Sequence, residues 1–237
     1  MKTKKYKIFE KILYYIHQKK IVSGPFQGMF YINTSHGSAF LPKILGTYEK
    51  ELHNIISEIV NKEYEIIIDI GAAEGFYVVG LAYLKKIEGH RNFLIQAFDT
   101  NLAAHPYIKE LAIKNNVQNN IEVHEFCNHE VLNTLPDKNI FILCDIEGAE
   151  TSLLDPQKVE KLYKIDMLVE LHDGKENFAL EEFTQRFRNS HNIEVIHFRG
   201  RQPEEAPWWL LHPKLKVTAV REGRKRGLKW MYLKAKH

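Results

Sequence analysis

Two stretches place carboxylates and a histidine at the ends of apolar runs. "ILCDIEGAE" carries Asp145 and Glu147, and "LVELHDG" carries Glu170, His172 and Asp173. If the two runs are neighbouring parallel strands, roughly 4.8 Å apart, all five groups meet at one mouth. A histidine there, with its ordinary pKa near neutrality, suits proton removal from a hydroxyl; Asp145 and Glu170 are the accompanying catalytic candidates, and Glu147 faces the acceptor. So much negative charge needs an offset: a cationic ligand, a protonated carboxylate, or a divalent cation such as magnesium held by Asp145 and Glu170. The same residues have a plainer reading, as carboxylates capping a helix that begins near Gly148.

A second constellation is "IIIDIGAAEGFYVVGLA", residues 66–82. Gly71 and Gly75 allow a tight turn, Ala72 and Ala73 add little bulk, and a helix from about Phe76 points its N–H groups back at the turn. Asp69 would repel a pyrophosphate and welcome an ammonium. The spacing also fails the dinucleotide fingerprint, since Ala73 stands where its second glycine belongs. A zwitterionic amino-acid end fits, cradled by Asp69, Gly71, Ala72, Glu74 and Gly75. At the end of the next apolar run, "QAFDTN" puts Asp99, with Thr100 beside it, 24 residues after Gly75, where a carboxylate can accept both hydroxyls of a ribose. An amino acid joined to a nucleoside is S-adenosylmethionine, whose sulfonium would also face Asp145.

The elements that must position these groups are legible as alternation. Strands are expected at 65–70, 93–98, 121–126, 140–145, 166–171, 193–198 and 229–234, with helices between most of them. Continuous apolar strands separated by helices imply an α/β fold, a doubly wound, mostly parallel seven-stranded sheet whose last strand is antiparallel, with ligands beyond the strands' carboxyl ends. Residues 1–45 read as a helix and hairpin appendage and 46–237 as the catalytic domain. The 237 residues, 44% hydrophobic and 27% charged, suit a globular protein. Apolar runs fall short of the roughly 20 residues of a membrane span, the charged N-terminus does not read as a cleaved signal, and Cys127 and Cys144 lack metal-ligand spacing, which together suggest a soluble, cytoplasmic protein.

Charge is unevenly spread. Lys plus Arg against Asp plus Glu is seven to one over residues 1–22, 15 to 26 over 23–198 and 11 to three over 199–237. The basic ends either fold back over the acidic middle or meet an anionic partner.

"DIGAAEGFYVVGLA" and "FDTN" resemble the first two motifs of class I S-adenosylmethionine-dependent methyltransferases. "CDIEGAETSLL" with "IDMLVELHDG" is similar to the FkbM-type members, whose pattern is Asp-x-Glu-Gly-x-Glu after the fourth strand and Glu-x-His after the fifth. The resemblance covers about residues 24–173 and implies a Rossmann-like methyltransferase fold and methyl transfer. Where that family often has a lysine, this chain has Leu143, so no ammonium role carries over. Some related sugar-modifying enzymes use magnesium. The fourth strand ends in neither the Asn/Asp-Pro-Pro-aromatic pattern of base amino methylation nor a Pro-Cys nucleophile, which favours oxygen on a small molecule, sugar or glycan. Trp208 and Trp209 would stack on the acceptor from an overhanging segment, and "REGRKRG" could attract phosphate. An RNA methyltransferase using the basic ends and a non-catalytic cofactor-binding protein remain the competing readings.

Overall fold

A computed structural model of the chain describes residues 4–35, 38–172, 178–210, 212–224 and 228–236. Asp173 and residues 225–227 of the basic "REGRKRG" stretch lie outside the described residues. The chain opens with helix α1 (Lys4–Ile16), α2 (Phe40–Leu45) and α3 (His53–Asn61), then enters β1 (Ile66–Ile70), α4 (Phe76–Ile87), β2 (Leu94–Phe98) and α5 (His105–Lys114). It continues through β3 (Ile121–His124), α6 (His129–Asn133), β4 (Ile140–Cys144), α7 (Glu150–Leu153) and β5 (Asp166–Leu171). The last elements are α8 (Phe178–Phe187), β6 (His191–His197), α9 (Pro213–Val220) and β7 (Lys229–Ala235).

All seven expected strands are present in one sheet, in the order β3-β2-β1-β4-β5-β7-β6. Neighbours from β3 to β5 pair in parallel, and β7 runs antiparallel to both β5 and β6. Every residue of β1, β4 and β5 is buried, as expected of strands covered by helices on both faces. The third strand stops short of its expected end at 126. His124 pairs with Phe98, the last residue of β2, so the edge strand has no partner further on and Phe126 turns out to solvent.

The strand order reverses between β1 and β4, which opens a crevice at their carboxyl ends. Two packed cores flank the sheet. One unites residues of β1, β2 and β4 with α3, α4 and the N-terminal segment through Tyr14, Phe26, Met29 and Tyr31. The other lies under α6 and α8 and includes the free thiols Cys127 and Cys144. Residues 1–45, expected as an appendage, thus contribute to the same core as the sheet. Gly80 makes that contact possible: a Cβ on this α4 residue would sit 2.5 Å from the Phe26 ring.

Part of the basic C-terminal segment folds back over the acidic middle. Arg201 is paired with Glu51 and lies 2.9 Å from Glu222, while Arg224 bridges Glu49 and Glu170. Among the described residues, no helix is long and apolar enough to cross a membrane.

Candidate active site

A cleft of about 750 Å³ lies at the carboxyl ends of β1, β2, β4 and β5, lined by Asp69, Gly71, Glu74, Asp99, Asp145 and His172 among others. Its size suits a nucleoside-sized ligand. The loop after β1 is pinned to β2, because Gly71 and Ala72 both donate backbone N–H bonds to the Phe98 carbonyl, at 2.8 and 3.0 Å. Gly71 has φ +91, and a Cβ there would fall 1.8 Å from the Asp145 carbonyl oxygen. Only glycine lets the turn pass so close to the end of β4. Gly75 then caps α4.

Asp99 is held by the turn it faces. Its Oδ2 accepts the Ala73 N–H at 2.6 Å and its Oδ1 accepts the Asn101 N–H at 2.7 Å. Each carboxylate oxygen retains further acceptor capacity, and both Asp99 and Thr100 line the cleft. Asp69 is buried, and its pKa is pushed up to about 8, first by burial and then by the carboxylates of Asp145 and Asp99. Crowded acidic groups of this kind suit a cationic ligand, which favours their ionised forms.

Glu74 is fully buried and anchored to the N-terminal segment. Its Oε1 accepts from Tyr31 Oη at 2.5 Å, Lys43 Nζ at 2.5 Å and Ser35 Oγ at 3.1 Å. Burial lowers the pKa of Lys43 and the adjacent Glu74 pulls it back. The Lys43 ammonium also sits over the rings of Tyr48 and Phe76, at 4.9 and 4.8 Å. The N-terminal segment thereby locks the turn that follows β1.

On the opposite wall, β4 ends at Cys144, just before Asp145, and the chain turns through Glu147, with φ +58, and Gly148 into α7. Glu150 Oε1 accepts the Ile146 and Gly148 N–H groups, at 3.2 and 3.0 Å, and receives His172 Nδ1 at 2.7 Å. Burial works to raise the Glu150 pKa, but His172 and the backbone N–H groups of Gly148 and Glu150 hold it below the ordinary carboxylate value. His172 moves the other way: the bond to Glu150 raises its pKa against the effect of burial. With Nδ1 engaged, Nε2 lies 3.6 Å from Asp145 Oδ1 and 3.5 Å from Glu147 Oε2.

Asp145, Glu147 and His172 bring potential ligand atoms within 4.8 Å of one another. Glu170, expected beside Asp145 as a metal ligand and catalytic group, does lie beside it in the cleft lining, where it is buried and also bonded to Arg224. Burial, and then the charge of Asp145 and a side-chain hydrogen bond with it, push the Glu170 pKa up to about 10. Asp145 Oδ1 has no hydrogen-bond partner in the described structure.

The tryptophans are not brought to this site. Neither lines the cleft: Trp208 is 84% exposed, and the Trp209 ring packs on His17 at 4.8 Å. Anchored through Arg201, the C-terminal segment presents Glu222, Gly223, Arg224 and Leu228 to the cleft instead. Sequence reasoning also missed Lys43, Tyr48, Arg224 and Glu150. Only Glu150 carried a signal, as the last acid of "DIEGAE".

No protein-family profile and no curated protein matches the sequence. Solved structures do share the fold. A precorrin-6y C5,15-methyltransferase from Geobacter metallireducens GS-15 is 15% identical, with a TM-score of 0.52 over 78% of this chain and 88% of that one. An rRNA methylase from Streptococcus thermophilus is 13% identical, with a TM-score of 0.52 over 80% and 99%. An S-adenosylmethionine-dependent O-methyltransferase from Thermotoga maritima is 16% identical, with a TM-score of 0.50 over 80% and 66%. The chain has the Rossmann-like fold of class I S-adenosylmethionine-dependent methyltransferases. The named acceptors of these neighbours differ so widely that the fold leaves the acceptor open.

Proposed function

We propose that the protein is an S-adenosylmethionine-dependent methyltransferase acting on a hydroxyl of a small molecule, sugar or glycan, in the manner of the FkbM-type enzymes that its motifs resemble. The observation that carries this reading is the Glu150–His172 pair, whose Nε2 opens onto the acidic cleft that contains Asp69, Asp99 and Asp145. When bound, S-adenosylmethionine supplies an electrophilic methyl group on a sulfonium. Asp69 and the Gly71–Gly75 turn receive the amino-acid end, and Asp99 accepts the ribose hydroxyls. Asp145 Oδ1, which makes no hydrogen bond, and the raised pKa of Asp69 fit a cationic ligand, which favours the ionised forms of these groups.

His172 Nε2 would take the hydroxyl proton as the oxygen–methyl bond forms and the methyl–sulfur bond breaks, with the demethylated thioether as leaving group, and Glu150 would stabilise the resulting imidazolium. Oxygen is favoured over RNA bases because this wall offers a positioned proton acceptor, and because Arg201 and Arg224 are spent on internal carboxylates. The buried thiols Cys127 and Cys144 support a reducing, cytoplasmic setting. The test is a screen with methyl-labelled cofactor against sugars, nucleotide sugars, glycans and RNA. Label in a hydroxyl acceptor, lost with His172→Ala, supports the reading; label in RNA alone overturns it.

A further inference from the structure

The first helix has two faces of opposite design. Leu13 and Tyr14 are buried in the core, with Tyr6 and Phe9 packed against it. Ile8, Ile12, Tyr15 and Ile16 recur at intervals of three, four and eight along the other face and are 49% to 67% exposed. Four large apolar side chains aligned over one helix form a continuous stripe rather than scattered exposure. Lys7, Lys11 and Lys19 are exposed alongside it. The one acid of the helix, Glu10, is hydrogen-bonded to Tyr6. Trp208, the sequence neighbour of the Trp209 that packs on His17 just past the helix, is the most exposed large apolar side chain of those described.

We propose that this face is a peripheral docking surface for an anionic lipid bilayer. A helix with an isoleucine stripe, flanking lysines and interfacial aromatics has the composition that lies in the plane of a membrane with its apolar face among the upper acyl chains. Tyrosine and tryptophan favour the headgroup level, and each lysine gains from the negative surface potential. Charge complementarity selects this occupant. A second copy docked face to face would set lysines against lysines across the twofold axis. RNA would satisfy the lysines and leave the isoleucines in water. Because the buried face of α1 is fixed to the core, binding seats the whole protein rather than a loose tail.

The experiment is co-flotation of the full chain with vesicles of phosphatidylcholine alone and of phosphatidylcholine mixed with phosphatidylglycerol. The expected result is flotation with the anionic vesicles only, weakened by added salt, and lowered roughly fivefold for each lysine neutralised among Lys7→Gln and Lys11→Gln. Ile12→Ser with Ile16→Ser should abolish it while cofactor affinity, which serves as the control for folding, stays unchanged. Three results overturn the proposal: no flotation with anionic vesicles, equal flotation with neutral ones, or flotation insensitive to the isoleucine substitutions. Concentration-dependent dimerisation in solution that the same isoleucine variant removes would assign the face to a second copy instead.

Discussion

Glu150 holds His172 by its Nδ1 at 2.7 Å, and two backbone N–H groups of the turn after β4 hold Glu150 in its turn. The imidazole is therefore fixed in orientation and in tautomer, with Nε2 left as the acceptor when the ring is neutral.

The first prediction follows from that pair. His172→Ala should lower kcat by roughly 10²–10⁴ with little change in cofactor affinity, the usual effect of losing a positioned base. Because Glu150 raises the His172 pKa, the rate should climb with pH through a value above the ordinary histidine range, as the neutral base form appears. Glu150→Gln keeps an acceptor for Nδ1 but removes the charge, so the midpoint should move to lower pH. A pH–rate profile that does not move with Glu150→Gln would show that His172 is not the titrating group.

Asp99 is the ribose candidate. Asp99→Ala should weaken binding of S-adenosylmethionine and of its demethylated product by about 1.5–3 kcal/mol, since a charged acceptor of two hydroxyls is lost. Part of the loss would come from the freed Ala73 N–H, which Asp99 now fixes. Calorimetry decides between this and a purely structural Asp99, for which the affinity would stay unchanged.

Asp69, with a pKa raised to about 8, holds a proton in the free protein at neutral pH that the unfolded chain would have released. Between roughly pH 4 and 8 the native state thus binds more protons than the unfolded state, and this group's contribution to stability falls as pH rises. Melting temperatures of the ligand-free protein should show that decline, and Asp69→Asn should flatten it. Binding of a cationic ligand should release the proton, seen as a binding enthalpy that varies with the ionisation enthalpy of the buffer.

The bond of Lys43 to Glu74 ties the N-terminal segment to the turn after β1. Lys43→Met leaves the Glu74 carboxylate buried without its cation and should cost about 3–5 kcal/mol of stability. Lys43→Met combined with Glu74→Gln should recover much of that loss, because no unpaired charge remains. Denaturant titrations of the two single variants and the pair measure the coupling; strict additivity would mean that the two groups do not interact.

Excess chelator should leave turnover intact, because His172 Nε2 must stay open for the acceptor proton. Activity lost in chelator and restored by magnesium would reassign Asp145, Glu147 and His172 as cation ligands.

The sequence by itself determined the layers and the place of the site. Uninterrupted apolar runs such as "IFILC" can only be strands buried on both faces, and parallel strands deliver the residues that follow them to one edge, so Asp69, Asp99, Asp145 and His172 were legible as a group. Gly71 announced a tight turn, because glycine alone takes a positive φ at no steric cost, whereas its close approach to the Asp145 carbonyl came from the tertiary structure. Local signals of this kind act over a few residues. Tertiary structure alone decided the partnerships between distant positions: Lys43 with Glu74, 31 residues apart, and Arg224 with Glu170, 54 apart. It also carried Trp209 onto His17, just past α1, instead of over the cleft, and gave Glu170, which does lie beside Asp145, an ion pair with Arg224. A charged or aromatic side chain has many acceptable partners within the sequence, and which one it meets is set by how the elements pack, where burial forces each charge to find its counterpart.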